Sequence, residues 1–233
     1  MCFSAPASFA ASAVLLPAGA FCLWSAVRKR PSYLPLAAVP LAFGGQQASE
    51  GVVWLALDWG EAGLVRSASL AFLFFALAFW PFWIPLQAAA AEPVPRRRWA
   101  LAALAGANTV WFWLLYYPLA ADPESLLHTQ VVHHSIDYSY PDLAVYQYVP
   151  RPFLRLLYVL AVATPLLIAS SSWGRLPGLG LAASAALAAL AFGYAFVSVW
   201  CFFAAVLAVY LCAVFRSLPA REAAAATTAR PPP

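Results

Sequence analysis

Long apolar runs alternate with short polar breaks along the whole chain. Seven of these runs approach the ~20 residues that a helix needs to cross a hydrocarbon layer. They lie roughly at Phe9–Val27, Leu36–Leu57, Ala68–Leu86, Trp99–Leu119, Phe153–Ser171, Leu176–Tyr194 and Val197–Phe215. The last two are separated only by Gly193-Tyr194-Ala195, but together they run about forty residues, too long for one crossing. The pattern predicts an all-α seven-transmembrane-helix bundle, one domain over residues 1–218. A disordered cytoplasmic tail is expected from 219 to 233, where an Ala run leads to Pro231-Pro232-Pro233.

The polar breaks orient the bundle. With the N-terminus outside and the C-terminus cytoplasmic, the inner loops and tail collect Arg28, Lys29, Arg30, Arg96, Arg97, Arg98, Arg175, Arg216, Arg221 and Arg230. The outer side keeps only Arg66, Arg151 and Arg155 among the basic residues, with Asp58, Glu61, Asp122, Glu124, Asp137 and Asp142. Positive loops stay cytoplasmic. Pro81, Pro85 and Pro165 fall inside runs and predict kinks, each removing a backbone hydrogen bond.

One break is long, about Ala120 to Pro152, and its β-branched residues, Tyr and His predict an ordered outer cap between helices 4 and 5. Read as one strand from Val131 to Tyr140, the alternation puts His133, Ser135, Asp137 and Ser139 on one face. Val132, His134, Ile136, Tyr138 and Tyr140 take the other.

Composition excludes a soluble globular protein. Only 9% of residues are charged and 64% are hydrophobic, against about 25% charged in a soluble domain. A net charge of +4 that reflects loop orientation gives no reason to expect nucleic acid as a partner. Heavy use of Ala and Arg suggests a GC-rich bacterial genome, hence the inner (plasma) membrane, multi-pass. No basic residue precedes the first apolar run, so that run reads as a retained helix rather than a cleaved signal.

Candidate chemistry starts at Glu50, a carboxylate inside the second run. Such a group costs several kcal/mol in hydrocarbon unless paired, solvated or protonated, and it marks a functional site by default. Gln46, Gln47 and Trp54 stand at i−4, i−3 and i+4, so two amides are expected to flank the carboxylate on one helix face. An interhelical hydrogen-bond node is the alternative role. His133, His134 and Asp137 in the outer cap carry metal-ligand chemistry, Zn or Cu, although their spacing follows no standard zinc pattern. Cys2 and Cys201 fall on the outer side, Cys22 and Cys212 near inner helix ends as small packing residues. Trp54, Trp59, Trp111, Trp113, Tyr116, Tyr117, Tyr194 and Trp200 read as an interfacial aromatic belt.

Three motifs carry a resemblance: Met1-Cys2-Phe3-Ser4-Ala5 with Ala7-Ser8-Phe9, Gln46-Gln47-x-x-Glu50-Gly51-x-x-Trp54, and the stretch from Phe196 to Ala205. Together they resemble an uncharacterised bacterial seven-helix integral membrane-protein family, a domain of unknown function, over nearly the whole chain except the tail. That resemblance implies no activity. A weaker one, to the alkaline ceramidase and adiponectin receptor superfamily of zinc hydrolases, implies His ligands on the last helix, where this chain has none.

The expectation is an outer-facing polar pocket lined by Cys2, Gln46, Gln47, Glu50, Trp54, Trp200 and Cys201, with the long loop as lid. It would bind a small molecule, lipid or ion for sensing or transport in the lipid bilayer. The alternative is a metal-dependent hydrolase or redox enzyme at the outer leaflet, with His133, His134 and Asp137 as ligands and Glu50 as base or ligand.

Overall fold

The computed structural model describes residues 4–170 and 174–219. A helix forms on each of the seven apolar runs. Five helices are long and apolar enough to cross a membrane: Ala5–Lys29, Ala62–Ala91, Pro95–Ala121, Arg151–Ile168 and Phe196–Ser217. Val39–Trp59 has 21 residues, but Gln46, Gln47, Glu50 and Asp58 dilute its apolar character. Arg175–Ala191 is apolar but has only 17 residues. The chain is a membrane protein, and its outward helix faces stay apolar: Val14, Trp24 and Leu190 are all more than half exposed. The expected tail lies outside the described residues from 220 onward, as does Cys2.

Helix α1 (Ala5–Lys29) starts where the Ser4 side chain accepts from the Ala7 N–H. After a 3-10 turn and the short α2 (Leu34–Ala37), α3 (Val39–Trp59) returns antiparallel. Glycines set how closely α1 and α3 approach. A Cβ on Gly19 would lie 2.5 Å from the Leu41 backbone nitrogen, and one on Gly44 2.8 Å from Leu16. Close approach through small residues is how helices associate in lipid, where no hydrophobic drive separates helix from solvent. Gly60 ends α3 at φ 71, with its N–H on the Leu57 carbonyl and the Glu61 N–H on that of Ala56.

The next span combines α4 (Ala62–Leu73), a π-helical segment (Phe74–Phe79) and α5 (Trp80–Ala91). Pro81 and Pro85 explain its irregularity. The Trp80 N–H reaches back to Phe75, five residues earlier. The Ala76 carbonyl would then need a donor at position 81, which is proline and has none. The Tyr158 hydroxyl fills that place. Pro85 likewise cannot serve the Pro81 carbonyl, and Asn108 Nδ2 donates to it instead at 2.9 Å. The following span repeats the device. It runs through α6 (Pro95–Ala107), a π segment (Phe112–Tyr116) and α7 (Tyr117–Ala121), and the Tyr117 N–H reaches Phe112 just before Pro118.

The cap corrects the single-strand reading. After α8 (Pro123–Leu126), β1 (His128–Val132) and β2 (Ser135–Ser139) pair antiparallel, Val132 opposite Ser135 and His128 opposite Ser139. His133 and His134 are the two turn residues, at φ 45 and 58. That is the primed-turn geometry whose twist suits a two-residue hairpin, usually built from Asn or Gly. The turn removes His133 from any face shared with Asp137. Ile136, Tyr138 and Leu143 are buried under the hairpin. Ser69 Oγ meets Thr129 Oγ1 at 3.0 Å, and Arg66 pairs with Glu124 at 3.0 Å, tying the cap to α4.

Helices α9 (Arg151–Ile168), α10 (Arg175–Ala191), α11 (Phe196–Ala208) and α12 (Tyr210–Ser217) complete the bundle. Lys29 Nζ donates to the Phe215 and Arg216 carbonyls at 2.9 and 3.2 Å, so the C-terminal ends of α1 and α12 lie together. Glu92, buried between α5 and α6, gathers the Ser170 N–H, the Ser170 hydroxyl and the Val94 N–H. Burial pushes its carboxyl up, but the Ser170 and Val94 hydrogen bonds and nearby Arg97 hold it below the usual carboxylate range.

Candidate functional site

Glu50, Gln46 and Gln47 are all fully buried on α3. Ser198, at the start of α11, donates its hydroxyl to Glu50 Oε1 at 2.6 Å. The expected donors do not serve the carboxylate: the Gln47 amide has no hydrogen-bond partner among the described residues, and the Gln46 amide is turned to Trp80 and Cys201. Side chains on a helix tilt toward its N-terminus, so the Gln46 amide leans away from Glu50. Its Oε1 accepts from Trp80 Nε1 at 2.7 Å, with Trp80 stacked on Phe43, and the amide adjoins the Cys201 thiol.

Above this buried layer lies a cavity of about 270 Å³. Strand β2 and the residue after it supply one wall, from Ile136 to Tyr140. The start of α9 supplies Arg151, Arg155 and Tyr158. The start of α11 supplies Ser198, Trp200 and Cys201. Ser198 therefore lines the cavity and also donates to Glu50, which does not line it. Gln46, Gln47, Glu50 and Trp54 are absent from this lining; of the expected pocket residues, Trp200 and Cys201 face it.

The mouth is cationic and phenolic. Arg151 stacks over the Tyr146 ring at 4.8 Å and Arg155 over Phe196 at 5.1 Å. Arg155 also donates to the Gly193 carbonyl at 3.2 Å. Among the described residues the one ion pair is Arg66–Glu124, so neither mouth arginine is salt-bridged. Asp137 is the acid in the lining, and it accepts from Gln130 Nε2 at 3.4 Å. Tyr140 and Tyr146 stack at 6.3 Å. Burial pushes both phenols up, so both remain neutral hydrogen-bond donors at physiological pH.

Among the described residues, no three His, Cys, Asp or Glu side chains come together in a way that could hold a metal ion. His133 and His134 sit exposed at the hairpin tip, and only Asp137 of the expected ligands faces the cavity. The belt expectation is corrected in part: Trp59, Trp113 and Tyr117 are exposed, whereas Trp54, Trp111 and Trp200 are buried and pack inside the bundle. Tyr140, Tyr146, Tyr158, Arg151 and Arg155 were missed as site residues. The spacing of Arg151 and Arg155, one helical turn apart, was the available signal, but it reads equally as an interfacial anchor.

A family model described as a family of unknown function (DUF6629) matches residues 1–227. No curated protein and no solved structure matches the chain.

Proposed function

The chain belongs to this family of unknown function, and from that premise we propose that it is a ligand-binding membrane protein rather than a structural one. Its outer-facing pocket takes a small molecule, lipid or ion for sensing or transport. The observation that carries the reading is the cavity of about 270 Å³ whose Ser198 wall is hydrogen-bonded to the fully buried Glu50. Pockets of this size with a few convergent polar groups are the usual form of a small-ligand site.

In the same reading the bundle crosses the bilayer seven times with the N-terminus outside, in the inner membrane of a bacterium. The shared end of α1 and α12, close to Arg28, Lys29, Arg30 and Arg216, supports that orientation. A Cys-free protein carrying a single cysteine at Ala144 should react with an impermeant maleimide in intact cells. One at Arg97 should react only after permeabilisation, and the reverse pattern would invert the topology.

Native mass spectrometry tests the binding itself. Protein extracted from its own membrane should carry a non-covalent adduct that the cavity-filling variant Ala195→Phe lacks. Identical spectra for the two proteins would remove the reading.

A further inference from the structure

A second, narrow cavity of about 60 Å³ lies below the first. Its lining is mostly apolar and includes Val162, Leu166, Ala204 and Ala208, with Gln87 and Tyr158 among its polar members. Tyr158, Trp200 and Cys201 line both cavities, so the two spaces meet at a common wall. One stripe of α9 runs the length of the pair, from Arg151 and Arg155 through Tyr158 to Val162 and Leu166. At ~1.5 Å per residue, the apolar part from Tyr158 to Leu166 spans about 12 Å. That is close to the depth of one leaflet, half of a core ~30 Å thick.

We propose that the two cavities form one site for a single-chain anionic amphiphile. Its carboxylate or phosphate head lies between Arg151, Arg155 and the Tyr140 and Tyr146 hydroxyls, and its chain runs down α9 past Tyr158. This rests on the pocket reading and specifies the ligand. Charge complementarity selects an anionic head: two arginines without salt bridges outweigh the single Asp137, and guanidinium favours carboxylate and phosphate. Neutral phenols add donors without adding charge. The lower space, at about 60 Å³, takes a few methylenes of one chain and cannot take two chains.

The probe is palmitic acid carrying a mid-chain diazirine, added to the full-length protein in phosphatidylcholine nanodiscs. Photolabelling should saturate and map to Val162, Leu166, Ala204 and Ala208. Unlabelled palmitate and lysophosphatidic acid should both compete, whereas hexanoate, inorganic phosphate and neutral monoacylglycerol should not. Arg151→Gln/Arg155→Gln, at two exposed positions, should lower labelling at least tenfold. Competition by only one of the two anionic lipids still supports the site and identifies the head it takes.

Labels scattered over outward positions such as Val14 and Leu190, or labelling unchanged in the double variant, would overturn the proposal. Quenching of cavity tryptophan fluorescence by phosphate or hexanoate without chain labelling would overturn the amphiphile yet leave a small-anion pocket standing. The pocket reading itself falls only if the native spectra of the protein and of Ala195→Phe are also identical.

Discussion

Asn108 donates its side-chain amide to the Pro81 carbonyl at 2.9 Å, the group that Pro85 leaves without a helical donor. One helix thus repairs the backbone of another, inside a layer where water is not available to do so. Asn108→Ala should destabilise the protein by about 1–3 kcal/mol, the cost of a buried acceptor left unmade. Thermal unfolding in detergent measures this, and an unchanged midpoint would show that the Pro81 carbonyl finds another donor. Tyr158→Phe, which removes the donor to the Ala76 carbonyl, should cost a similar amount.

The Ser198–Glu50 contact predicts an order among variants. Ser198→Ala removes a donor 2.6 Å from a buried carboxylate oxygen and should lower stability by about 1–3 kcal/mol. Glu50→Gln keeps an oxygen that can accept from Ser198 and should be the milder change. Glu50→Leu removes the acceptor and should fall between them or below. Unfolding midpoints that rank Glu50→Gln as the most damaging would contradict this arrangement.

At the α1–α3 contact the expected defect is steric. Gly19→Ala would bring a methyl within 2.5 Å of the Leu41 backbone nitrogen, an atom that no side-chain rotation can move. Overpacking of this kind costs about 1–3 kcal/mol. Gly63→Ala is the control, because a Cβ there meets nothing within 4 Å. Equal stability of the two variants would refute the close packing.

Glu92 gives a pH dependence with a definite sign. Its folded carboxyl titrates below its unfolded value because Ser170, Val94 and Arg97 favour the ionised form against the opposing effect of burial. Its contribution is therefore fully present above the unfolded value of about 4.3 and is lost as pH falls through the lower folded value. The difference in unfolding midpoint between the native protein and Glu92→Gln should be largest near neutrality and shrink on acidification toward pH 3. A difference that grows in acid would reverse the assignment.

Much of the scaffold was legible because membrane helices are announced by length and apolar character alone, and each predicted run carries a helix. The irregular features were less visible. Pro81 and Pro85 signalled disruption, but only the fold shows that a π turn absorbs it and that Tyr158 supplies the missing donor. The hairpin was hidden because His133-His134 replaces the Asn-Gly type of turn signal. Glu50 stood out as a buried charge. Ser198, its donor, is one hydroxyl among many in the sequence and becomes distinctive only when α11 is placed beside α3. Arg151 and Arg155 are exposed and looked like surface charges, and only the fold shows that they line one cavity together with β2.

The π segment at Phe74–Phe79 makes one continuous rod serve two differently aimed walls. A π turn accommodates one extra residue, and each residue turns an α-helix by about 100°. The offset lets α5 aim Trp80 at Gln46 and the Pro81 carbonyl at Asn108, while α4 keeps Ser69 aimed at the cap. Removing a single residue there would act as a dial rather than a shortening. With one half held, the other half would swing by more than a quarter turn and lose all its partners together.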